Sequence, residues 1–131
     1  MNIKRIEESD YDKEVLQSKG VTCVKFYAPW CGPCRMLSQV MEGIEDSKYD
    51  AINVVEVNVD EAPNISRKLG VMSIPTMAFY VDGAHTETVV GFRNAPQLKQ
   101  LFDNFAAKKE KPSIGWRYLY FSKPQTGDRC S

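Results

Sequence analysis

At 131 residues the chain is long enough for one domain with a real hydrophobic core and too short for two. Hydrophobic residues make up 43% and charged residues 26%, the proportions of an ordinary soluble globular protein. Lys+Arg (17) and Asp+Glu (17) cancel, which excludes recruitment of nucleic acid or an anionic membrane by a global field. Met1 to Asp10 is polar and charged and lacks the apolar stretch of a secretory signal. No apolar run approaches the roughly 20 residues that span a bilayer. The expectation is an intracellular, cytoplasmic protein, in a compartment that keeps thiols reduced.

In chain order, Ser9 and Asp10 suit the cap of a short helix with Tyr11 and Val15 on one face and Gly20 as its stop. Val21 to Ala28 reads as a buried strand, rich in β-branched and aromatic residues. Met36, Leu37, Val40, Met41 and Ile44 then recur at helical spacing. Ile52 to Val59 is a valine-rich strand. A short helix opens near Pro63, buries Ile65 and Leu69 and closes at Gly70. Thr76 to Val81 and Thr86 to Val90 form a hairpin about the turn signal Asp82-Gly83. Asn94 and Gln97 have the spacing of a capping box, Pro96 falls in the first helical turn, and Leu98, Leu101, Phe102 and Phe105 share one face. The order β-α-β-α-β-β-α, preceded by a helix, implies an α/β fold, a mixed sheet with helices on both faces.

Composition shifts after Ala107, so the expected division is a domain over 1–107 and an extension over 108–131. Lys108 to Pro112 reads as a solvated linker. Ile114 to Phe121 is an aromatic cluster in which Trp116, Tyr118 and Tyr120 alternate, as in a strand or a segment lying on the domain.

The four cysteines are Cys23, Cys31, Cys34 and Cys130. They are not spread to staple loops. A zinc site needs a second Cys-x-x-Cys or a Cys/His pair, and the only histidine is His85, beside the hairpin turn and expected in solvent. Haem attachment needs His after the second cysteine, where Arg35 stands. No metal or cofactor is therefore expected, and a redox dithiol remains. Cys31 falls between a strand and a helix, where unpaired N–H groups and the positive dipole end favour a thiolate. Cys34 lies one turn on, within reach of a mixed disulfide on Cys31. Gly32 permits a tight turn and Pro33 presets φ for the helix. Cys23 reads as a small core residue and Cys130 as an incidental thiol.

Trp30-Cys31-Gly32-Pro33-Cys34 resembles the active-site signature of the thioredoxin family. Phe26-Tyr27-Ala28-Pro29, Val57-Asn58-Val59-Asp60, Ile74-Pro75-Thr76, Asp82-Gly83 and Val90-Gly91 fall in matching order over about residues 3 to 107. The resemblance implies the thioredoxin fold and a monomeric protein-disulfide reductase. Its partners would be disulfide-containing proteins and a thioredoxin-reductase-type electron donor. It also implies a cis peptide before Pro75, and a flat apolar surface around Cys31 made by Trp30, Gly32, Pro33, Ile74, Pro75, Val90 and Gly91, with the Ile74 backbone free to pair with a substrate strand.

The chain departs from the family pattern at a buried charge. Where the family has Asp six residues before the first cysteine, paired with Lys on the neighbouring strand, this chain has Lys25 and Glu56. The pair is inverted. It either keeps neutrality with its members exchanged, or makes Glu56 the proton acceptor of Cys34 with Lys25 favouring the thiolate. Gln39 replaces a helix-kinking proline, which predicts a straighter helix, and Tyr27 stands where Trp is common. Two other functions compete with the reductase: an oxidase or isomerase, disfavoured by Gly32-Pro33, and a binding module with secondary redox activity.

Overall fold

The structure is a computed structural model that describes residues 1–110, with side chains to residue 106. The aromatic segment around Trp116, Tyr118 and Tyr120, and Cys130, lie outside the described residues. Five strands, β1 (Ile3–Ile6), β2 (Val21–Tyr27), β3 (Asn53–Asn58), β4 (Thr76–Val81) and β5 (Ala84–Val90), form one sheet in the order β1-β3-β2-β4-β5. β3 runs parallel to β1 and β2, while β4 is antiparallel to β2 and β5, so the sheet is mixed as expected. Helices α1 (Gly32–Glu42), α2 (Pro63–Lys68) and α3 (Ala95–Glu110) connect and flank it.

Alternation along each strand divides the core in two. On one face Cys23, Val54, Met77, Phe79 and Val89 pack with Leu37 and Met41 of α1 and with Leu98, Phe102 and Phe105 of α3. On the other, Val24, Phe26, Val55, Val57, Ala78 and Tyr80 pack with Tyr11, Val15 and Ile65. All seven residues of β2 are buried, because it is the central strand covered on both sides.

Local chemistry explains most boundaries. Asn94 and Gln97 cap α3 reciprocally: the Gln97 N–H donates to Asn94 Oδ1 at 3.0 Å and the Asn94 N–H to Gln97 Oε1 at 2.9 Å. Asp82 and Gly83 both adopt positive φ, 52° and 85°, as a two-residue hairpin turn requires.

Three expectations need correction. Ile3–Ile6 is a strand rather than part of a polar lead-in; among the described strands it pairs only with β3, and it keeps Lys4 and Arg5 in solvent, so its pattern is weak. The first helix is a 3-10 turn over Glu8–Asp10 followed by a π turn over Asp12–Leu16, with Glu7 rather than Ser9 at the cap. α3 continues through Glu110, so Lys108 to Glu110 extends a helix where a linker was expected.

Candidate active site

The buried strand β2 ends at Tyr27, and the chain turns through Pro29 and Trp30 to start α1 at Gly32. Cys31 is the N-cap of α1, in extended conformation, and its Sγ accepts the Cys34 N–H at 3.2 Å. A sulfur thus takes the place of the usual Ser or Asp oxygen at a helix start, where an N–H and the dipole both favour negative charge. Cys31 and Cys34 pair as a disulfide, their Cα atoms 5.3 Å apart. Pro33, in the first turn, removes an N–H that would have had no partner. Cys34 is 1% exposed and Cys31 5%, so access to the pair is through Cys31.

The loop before β4 forms the opposite wall. The Ile74–Pro75 peptide is cis, and Cys31 Sγ lies 3.9 Å from the Ile74 carbonyl oxygen. Pro75 is buried, and its carbonyl accepts the Gly91 N–H at 2.8 Å, which brings Val90-Gly91 beside the same wall. Trp30 is 69% exposed, yet its Nε1–H donates to Asp60 Oδ2 at 2.9 Å. The indole therefore has a fixed polar anchor while its face meets solvent. Asp60 is in turn set by Asn58, whose Oδ1 accepts the Asp60 N–H at 2.9 Å. Asp60 ends the motif Val57-Asn58-Val59-Asp60, and only the fold shows that it anchors Trp30.

Five large hydrophobics among the described residues are exposed, and four of them belong to this neighbourhood by chain position: Trp30, Met36, Met72 and Val90. Met36 was expected on the buried face of α1 and instead points outward. A larger concavity of about 980 Å³, lined by Tyr11, Leu16, Ile65, Leu69 and Tyr80 among others, contains none of the dithiol residues. A dithiol with exposed apolar side chains near it in the chain suits a macromolecular disulfide better than a small ligand in a cleft.

On the strands that lead to the dithiol, Lys25 and Glu56 are register partners on β2 and β3. They touch: Lys25 Nζ is 3.3 Å from Glu56 Oε1. Lys25 is 1% exposed, and burial holds its pKa below the ordinary lysine value against the opposing pull of Glu56. Cys23, on the same strand, is fully buried, and burial pushes its thiol up to about 12. His85 is exposed and hydrogen-bonds Thr88 at 2.8 Å. No cluster of three or more His, Cys, Asp or Glu able to hold a metal occurs among the described residues.

Comparison with known proteins agrees with this architecture. A family model described as thioredoxin matches residues 2–104. Thioredoxin of Listeria monocytogenes is 36% identical over 103 residues, covering 79% of this chain and 98% of its own. Thioredoxin of Bacillus subtilis is 38% identical over 96 residues, covering 73% and 92% respectively. The crystal structure of Malassezia sympodialis thioredoxin superposes with a TM-score of 0.71 at 30% identity, over 80% of this chain and 91% of that one.

Proposed function

The chain belongs to the thioredoxin family and is a protein-disulfide reductase with the thioredoxin fold, and on that footing we propose that Cys31 attacks the substrate and Cys34 resolves the intermediate. The Cys31 thiolate opens a substrate disulfide to give a mixed disulfide and one substrate thiolate. Cys34, deprotonated, then attacks Cys31 Sγ, releases the second substrate thiolate and leaves Cys31–Cys34 oxidised. The observation that carries this order is the asymmetry of the pair: Cys31 caps the helix and receives the Cys34 N–H, while Cys34 is closed off at 1% exposure.

Trp30, Gly32, Pro33, Ile74, Pro75, Val90 and Gly91 form the docking surface in this reading. An extended substrate segment pairs with the Ile74 backbone, and that pairing puts its disulfide within reach of Cys31. Glu56 is the carboxylate that takes the proton of Cys34, directly or through water, with Lys25 as its counter-charge. The donor that restores the dithiol is a thioredoxin-reductase-type partner, and the working compartment is the cytoplasm, where the chain acts as a monomer in electron transport and redox homeostasis. No described helix is long and apolar enough to cross a membrane.

Reduction of insulin disulfides tests the assignment. Cys31→Ser is expected to abolish turnover, whereas Cys34→Ser accumulates a mixed disulfide on Cys31. A mixed disulfide trapped on Cys34 in the Cys31→Ser variant would instead reverse the roles. A pH–rate profile unchanged by Glu56→Ala would remove Glu56 from proton transfer and leave the pair as a neutraliser.

A further inference from the structure

Arg5, which no motif singles out, shares a cross-strand row with the buried pair. The register of β1, β3 and β2 aligns Arg5, Glu56 and Lys25 in that order. Lys25 Nζ contacts Glu56 Oε1 at 3.3 Å, and Arg5 Nε and Nη2 both donate to Oε2 at 3.2 Å. Both carboxylate oxygens are engaged, so within this row two cations share one carboxylate.

The position of that charge follows from alternation along β2. Cys23 packs in the cluster that holds Leu37 and Met41 of α1, and Tyr27 in the cluster that holds Cys31 and Cys34. Lys25 points to the same face between them, beneath the N-terminal half of α1. Its Nζ is 4.9 Å from the Tyr27 ring centroid, and Arg5 Cζ is 5.4 Å from that centroid. One aromatic ring thus faces both cations and belongs to the buried cluster that holds the dithiol. The other groups acting on the row are Glu42 of α1 on Lys25, the Cys23 thiol on Lys25, and Glu61, in the turn after β3, on Arg5 and Tyr27.

We propose that Arg5 is a positioning residue for the dithiol: by drawing on Glu56 from the solvent side it leaves the Lys25 ammonium less fully neutralised on the strand face that the start of α1 covers, and so makes the Cys31–Cys34 disulfide easier to reduce. An uncompensated cation favours the thiolate over the thiol, and a stabilised reduced form shifts a dithiol couple toward the oxidising side. The inference rests on Cys31–Cys34 being the working couple.

The test is equilibration of the full chain with glutathione at pH 7. The Cys31–Cys34 bond breaks and takes two electrons and two protons from two glutathione thiols, which join as glutathione disulfide. Arg5→Gln is expected to lower the equilibrium constant for protein reduction about threefold (about 14 mV at 29.6 mV per tenfold), and Arg5→Glu about tenfold. Glu56→Gln raises it. Arg5 is 70% exposed, so its effects shrink in about 0.5 M salt. The pH dependence of Cys31 alkylation moves upward in both Arg5 variants. An equilibrium constant unmoved by Arg5→Gln and Arg5→Glu overturns the proposal, as does a shift of Arg5→Glu and Glu56→Gln in the same direction, the pattern of a merely structural role. If Glu56→Gln does not fold, the two Arg5 variants, at an exposed edge-strand position, decide alone. A proton-acceptor role for Glu56 would alter rates and not this equilibrium. Failure of the unmodified chain to form a two-electron couple with glutathione would refute the dithiol reading itself.

Discussion

Two cysteines of β2 and α1 show how burial decides what a thiol does. Cys34 is buried beside the partner that makes it useful, whereas Cys23 is buried among apolar side chains, where burial pushes its pKa up to about 12 against a slight opposing effect of Lys25. The native state keeps the Cys23 proton at pH values where an unfolded thiol has lost it. The stability this provides is fully present below about pH 9 and is lost as pH rises toward 12, in all about 4 kcal/mol. Urea unfolding at pH 8 and pH 10.5 should therefore differ by about 2 kcal/mol on this account, and Cys23→Ala should remove that part of the difference. In the reduced native protein a thiol reagent should label Cys31 and spare Cys23. The pairing of Cys31 with Cys34 was legible in the sequence because their spacing is local. The reach of Arg5 to Glu56 was not, since those residues are 51 positions apart and meet only through strand pairing.

At the scale of elements, the β4–β5 turn does more than reverse the chain. Asp82 exchanges two hydrogen bonds with Gly20: its N–H donates to the Gly20 carbonyl at 2.8 Å and its Oδ1 accepts the Gly20 N–H at 2.7 Å. A Cβ on Gly83 would lie 2.2 Å from the Leu16 carbonyl oxygen, in addition to the strain of φ 85°. Gly83→Ala should cost about 3 kcal/mol or more, beyond the 1–2 kcal/mol of left-handed backbone alone. Gly70→Ala, at φ 68° with nothing within 4 Å of the added Cβ, should cost only that smaller amount. Denaturant midpoints of the two variants check the contrast. Asp82-Gly83 announced a turn in the sequence, but its docking on residues 16 to 20 did not follow from any local pattern. The strand Ile3–Ile6 was missed for a related reason: with one buried residue and two exposed cations, it is a strand only because β3 offers it an edge.

For the whole molecule, α3 closes the core face that carries α1. The Phe105 ring stacks on Phe79 of β4 at 4.4 Å between centroids, and Phe102 meets Tyr49 at 5.8 Å. Phe105→Ala should destabilise by about 3–5 kcal/mol, the usual cost of emptying a buried aromatic site. Phe105 belongs to the core cluster without Cys31 or Cys34. Insulin reduction well below the melting temperature should accordingly stay near that of the unmodified chain, a separation of stability from activity that thermal melts and turnover assays would measure.

The sequence alone determined the dithiol and the order of the main elements, because each is written in residues close together: Cys31 and Cys34 at helical reach, and periodic apolar faces. Only the tertiary structure decided where the inverted charges meet. Strand register puts Arg5, Glu56 and Lys25 on one row, and burial under α1 makes a lysine that would be unremarkable at a surface into a charge that its neighbours must balance. The energy of such a group depends on what surrounds it in space, and no local pattern in the chain records that.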